Sequence, residues 1–104
     1  MKIPVIIVGT VAALAMSHTA LAGGDAAQGK VKSAICGVCH GADGNSVNGL
    51  WPKIAGQHEM YIVKQLKDFR AGTRKDLTMN GMAKPLTDTD IANLAAFFAS
   101  QKQK

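Results

Sequence analysis

The chain has 104 residues, a formal net charge of +5, 47% apolar residues and two cysteines. That length has room for one small domain. The basic balance comes without the interleaving of basic and aromatic residues that marks a nucleic-acid surface, so a nucleic-acid partner is not expected.

The N-terminus is read first because it bears on where the protein works. Met1-Lys2 is a short positive start, Ile3 to Ala15 an apolar run, and Ala20-Leu21-Ala22 offers small residues where a signal peptidase reads them. Residues 1–22 are therefore expected to be a cleaved secretory leader, leaving 23–104 as a single soluble domain in the periplasm. The run is shorter than the roughly 20 apolar residues of a spanning helix. Pro4, Gly9, Ser17 and His18 weaken it further, so no membrane span is expected in the mature form. Neither a twin arginine nor a lipid-accepting cysteine accompanies it. A mature domain of roughly 80 residues is marginal for a core of side chains alone and calls for a disulfide, a metal or a bound group.

Asp25 is a candidate N-cap, and Ala27, Val31, Ala34 and Ile35 recur at helical spacing, which predicts a first helix with that stripe inward and Lys30 and Lys32 in water. Gly29, inside it, is either a weak spot costing about 1 kcal/mol against alanine or a place of close helix approach. The helix runs into Cys36-Gly37-Val38-Cys39-His40. Two cysteines two residues apart, with histidine next, form the attachment signature for a c-type haem. In that reading the thiols bond the porphyrin and His40 is the proximal iron ligand. The same residues also fit a dithiol redox pair or, with His58, a zinc site. Since the leader predicts an oxidising compartment, a bare Cys36–Cys39 pair would close to a disulfide that staples almost nothing.

From Gly41 to Gly56 the composition shifts to Gly, Asn, Asp and Ser, and helical period is lost. Leu50-Trp51-Pro52-Lys53-Ile54 is an apolar island in this loop, which suits a large flat ligand. Gln57 to Ala71 reads as a second helix with Tyr61, Ile62, Leu66 and Phe69 on one face, Met60 in packing, His58 on a polar first turn and Gly72 as its stop. Thr73 to Leu86 reads as a second loop containing Met79 and Met82. Thioether sulfur binds haem iron opposite histidine, and a loop methionine is less readily a core filler than a helical one. The last helix opens on Thr87 with Asp90 three residues on, a capping box, and turns Ile91, Leu94, Ala95 and Phe98 inward with Phe97 beside them. No strand candidate has any strength. The fold class is all-α.

This combination resembles the class I c-type cytochromes, especially the small bacterial periplasmic monohaem forms and each half of the dihaem cytochrome called c-four. The likeness runs from Gly24 to Gln101 and rests on Gly24-Asp25 with Gly29, Cys36 to Gly44, Pro52 to Gln57, Tyr61 to Arg74, and Leu86-Thr87-Asp88 into Phe98. It implies a cytochrome c fold, three main helices and loops wrapped around one covalently bound haem c. Cys36 and Cys39 would attach it, and His40 would be the proximal ligand. Met79, seven residues before Leu86, would be the distal ligand, with Met82 as runner-up. The family's proline carbonyl against the proximal histidine maps onto Pro52, and Trp51 would wall the haem pocket. The family's close crossing of first and last helices would place Gly29 near Leu94 and Phe97 or Phe98. The function implied is a monomeric one-electron carrier rather than an enzyme, moving electrons between respiratory redox proteins. Those partners would have acidic docking surfaces, such as a membrane oxidoreductase or a terminal reductase or oxidase, and Lys53, Lys64, Lys67, Arg74, Lys75 and Lys84 would steer toward them. The alternative is a haem enzyme or gas-binding protein with an open axial site.

Overall fold

The computed structural model describes residues 1–7, 9 and 23–104. Most of the leader expected over 1–22 lies outside the described residues. Five helices follow in order: α1 (Ala26–Lys32), α2 (Ala34–His40), α3 (Glu59–Ala71), α4 (Leu77–Ala83) and α5 (Asp88–Ser100), with no strand among the described residues.

Asp25 caps α1, its carboxylate accepting from the amides of Ala27 at 2.9 Å and Gln28 at 3.2 Å. The expected single first helix is marked by a turn at Ser33, yet the hydrogen-bond ladder continues through it. Ser33 N donates to Gly29 O at 2.8 Å and Gly37 N to Ser33 O at 2.9 Å. Its inward face is not the expected one. Val31 and Ile35 are exposed, as are Ala27 and Ala34. The buried line instead runs Gly29, Ser33, Cys36, His40, with Cys36 partly covered against the core. The spacing is helical, but none of the four is a large aliphatic residue, so a reading based on hydrophobic period selected the opposite face.

The reason is the closeness of α1 to α5. A Cβ at Gly29 would run into the Asn93 carbonyl and lie 2.8 Å from Phe97 Cβ. Gly29 is thus a point of backbone-to-backbone contact with the Asn93 carbonyl, with the Phe97 Cβ beside it. α5 itself follows the expected pattern: the Thr87–Asp90 capping box is formed in both directions, and Ile91, Leu94, Ala95, Phe97 and Phe98 are buried. Each large side chain among them contributes roughly 1.5–3 kcal/mol on burial. The Phe97 and Phe98 rings are tilted at 58° with centroids 5.0 Å apart, a favourable aromatic arrangement.

α3 begins at Glu59, with His58 as N-cap, and ends at Gly72 in the left-handed conformation that glycine tolerates. Ile62 and Phe69 are buried and Leu66 and Val63 pack beside the core. Met60 is 85% exposed, contrary to the packing role expected. It sits half a helical turn away from the Ile62, Leu66 and Phe69 face, so no core lies behind it. Arg70 crosses from α3 to the start of α5, bonding Leu86 O at 3.1 Å and Asp88 at 2.7 Å.

Candidate haem site

The CxxCH segment forms α2, and its last residue, His40, is buried. His40 Nδ1 lies 2.9 Å from the Pro52 carbonyl oxygen. Because a carbonyl only accepts, Nδ1 donates, and in the neutral ring this leaves the lone pair on Nε2. This side-chain bond sets the tautomer a metal ligand needs.

The loop that brings Pro52 back is folded around Gly44. Its carbonyl accepts from Ile54 N at 2.8 Å and Ala55 N at 3.0 Å, and its φ of +81° suits glycine. A Cβ there would lie 2.8 Å from Ala55 N and 2.9 Å from Phe98 Cδ1. Asn45 ties the loop to the C-terminal tail, donating to Lys102 O and accepting from Lys104 N, each at 2.9 Å. Asp43 accepts from Asn45 N at 3.0 Å and pairs with Lys104 at 3.1 Å. Hydrogen bonds from Asn45 lead, with Lys104 next, in lowering its carboxyl to about 2.

Cys36 and Cys39 are both free and partly covered. Burial pushes the Cys36 thiol above its ordinary range, outweighing a backbone hydrogen bond and the charge of Lys32. A thiol so raised is the poorer nucleophile in exchange, which counts against Cys36 as the attacking thiol of a redox pair. Zinc is disfavoured as well: no cluster of three or more His, Cys, Asp or Glu side chains is gathered among the described residues. His58, the fourth ligand that reading required, is exposed at the α3 N-cap.

The expected methionine loop is partly helix. Met79 and Met82 lie on α4, where Asp76 is the N-cap and accepts from Met79 N at 2.8 Å. Only Asp76, an N-cap residue type, signals this seven-residue helix in sequence; without an apolar stripe and with Gly81 inside, it reads as loop. Met79 is partly buried, whereas Met82 is 43% exposed. Pro52 is exposed and Trp51 is 39% exposed. Leu50, Tyr61 and Leu77 also present apolar side chains outward. Two thiols, a histidine with a free Nε2, two thioethers and apolar side chains from three segments are a donor set that fits a covalently attached haem.

Comparison with known proteins agrees. The cytochrome c family profile matches residues 26–102. The chain belongs to the cytochrome c family: it is a c-type cytochrome whose cofactor is one covalently bound haem c. Within that family its likeness is to cytochrome c4. It is 48% identical over 97 residues to cytochrome c4 of Pseudomonas aeruginosa, covering 93% of this chain and 48% of that protein. The crystal structure of reduced recombinant cytochrome c4 from Pseudomonas stutzeri superposes with a TM-score of 0.75 at 48% identity, over 79% of this chain and 48% of that one. The chain therefore spans about half the length of these relatives. A shorter relative, cytochrome c-554(548) of Halomonas halodenitrificans, is 40% identical over 82 residues and is covered over 99% of its length. The fold is that of the class I cytochromes c.

Proposed function

We propose that this cytochrome is an exported, periplasmic one-electron shuttle in which Cys36 and Cys39 would attach the haem and His40 and Met79 would hold its iron. When bound, haem c supplies a ferric–ferrous one-electron couple. The bond from His40 Nδ1 to the Pro52 carbonyl carries the reading, because it orients a buried imidazole and leaves Nε2 basic. Met79 is favoured over Met82 by its burial and by the Asp76 cap on its own amide. If His40 and Met79 both hold the iron, the chain would leave no position on it for a substrate, and Trp51 would supply an apolar side chain to the haem pocket.

Four lysine or arginine side chains make ion pairs among the described residues: Lys32 with Asp90, Lys64 with Asp68, Arg70 with Asp88 and Lys104 with Asp43. Lys67, Lys75 and Lys84 are exposed and make none there. These three are the best-suited members of the basic collar for steering toward acidic redox partners, with an association rate that falls as salt rises.

The test is maturation with haem followed by absorption of the oxidised protein. A mass gain of one haem is expected, together with the weak red-end charge-transfer band of sulfur-ligated ferric haem. Met79→Ala should abolish that band and Met82→Ala should retain it. A band that survives both substitutions refutes the methionine assignment.

A further inference from the structure

The geometry points to Asn80 as a positioning residue that sets how firmly the Met79 sulfur is presented, a role that rests on the reading of Met79 as an iron ligand. A thioether is a weak ligand on a side chain with three rotatable bonds. Its placement therefore depends on the backbone beneath it. That backbone is α4, which at seven residues is too short to be stable alone. Ala83 is its one fully covered residue.

Asn80 provides what packing does not. Its Nδ2 donates to Phe69 O and to Arg74 O, and its Oδ1 accepts from Asp76 N, all three at 2.8 Å. Two carbonyls on one side and an N–H on the other leave a single orientation for the amide. A flipped amide would face oxygen with oxygen twice. One side chain thus ties α4 to the end of α3 and to the turn that joins them.

The acceptors are themselves held. Arg74 N bonds Asp68 O at 3.1 Å, and its guanidinium lies 4.5 Å from the Phe69 ring centroid while bonding Gln65 at 2.7 Å. Asp76 is gripped at both ends, its N–H by Asn80 and its carboxylate by the Met79 amide. Met79 and Asn80 therefore close on the same residue. Without the Asn80 amide, Arg74 O and Asp76 N lose their partner, and the segment from Thr73 to Ala83 opens locally more often.

Imidazole titrated into the oxidised holoprotein reads this directly, because it reaches the iron only in molecules whose methionine has let go. Asn80→Ala should tighten apparent imidazole binding about tenfold, the effect of about 1.4 kcal/mol. Asn80→Asp, which keeps the acceptor for Asp76 N but sets an oxygen against two carbonyls, should tighten it at least as much. Asn80→Ser gives the same reading should alanine prevent maturation. Thr87→Ala is the control: it weakens the α5 cap and lowers the guanidinium midpoint without touching α4. A shift with the Asn80 variants well beyond that of Thr87→Ala supports the role. Equal shifts overturn it and leave Met79 in place. A wild-type holoprotein with no sulfur-ligation band overturns the Met79 reading and this proposal together.

Discussion

Two segments present the candidate iron ligands, and they are held in different ways. The loop from Gly41 to Gly56, on the His40 side, has little helical structure but is anchored to distant chain. Gly44 receives two backbone bonds, Gly56 N bonds Phe98 O at 2.9 Å, and Asn45 grips the C-terminal tail. The segment from Thr73 to Leu86, on the methionine side, contains a helix but is mostly exposed, and its side-chain ties run to chain just before it. Regular secondary structure is therefore a poor guide to rigidity here. The irregular loop is fixed by bonds spanning more than fifty residues, whereas the helix depends on one amide and one cap. With His40 and Met79 as the proposed ligands, the imidazole would stand on the anchored side and the weaker thioether on the looser one, so ligand exchange would begin at the methionine.

The largest effect expected is on the anchored side. Gly44→Val combines a left-handed φ with contacts to Ala55 and Phe98, and should cost about 3 kcal/mol or more. Guanidinium unfolding of the holoprotein measures this, and a loss below 1 kcal/mol would show that the loop yields and the contrast is false. Asn45→Ala removes the two bonds to the tail and should cost about 1–2 kcal/mol, with trypsin cutting sooner at Lys102. On the other side, Gly81 lies within α4 with open space around its Cα. Gly81→Ala should therefore stabilise by about 0.5–1 kcal/mol and weaken apparent imidazole binding, the reverse of the change expected for Asn80→Ala. A destabilising result would mean that α4 needs the freedom of glycine.

The smallest effect concerns acid. Asp43, at about 2 in the folded chain against an ordinary 3.8, is joined by Asp68, Asp88 and Asp90, all lowered chiefly by hydrogen bonds. Since the unfolded chain takes up these protons first, the stabilisation is complete above the ordinary value and is lost as pH falls through the folded one. Asp88 is exposed and Asp43, Asp68 and Asp90 lie partly open to water, so the slope is shallow and screened by salt. Asp43→Asn should flatten the acid limb of a stability–pH curve, and an unchanged limb would remove the ion pair from the account of the anchored loop.

Much of this was legible from the chain because it is local. Asp25, Gly72 and the Thr87–Asp90 box act within four residues, and the α5 stripe follows from period alone, since large apolar side chains there meet no competing contact. The inward face of α1 was not legible, because the closest helix contact is made by a residue with no side chain, and the face it creates is lined by serine, cysteine and histidine. α4 was hidden for a related reason: its hold comes from Asn80 reaching Phe69, eleven residues back, and no periodic signal records that.

The sequence alone therefore determined the chemistry: two thiols and a histidine at fixed spacing, methionines before the last helix, and an all-helical chain. These are matters of residue type and short separation. Tertiary structure decided which nitrogen of His40 is free, which face of α1 is buried, that Met79 sits on a helix, and what secures that helix. Each depends on backbone groups brought together across long separations, where hydrogen-bond geometry rather than composition selects the partner.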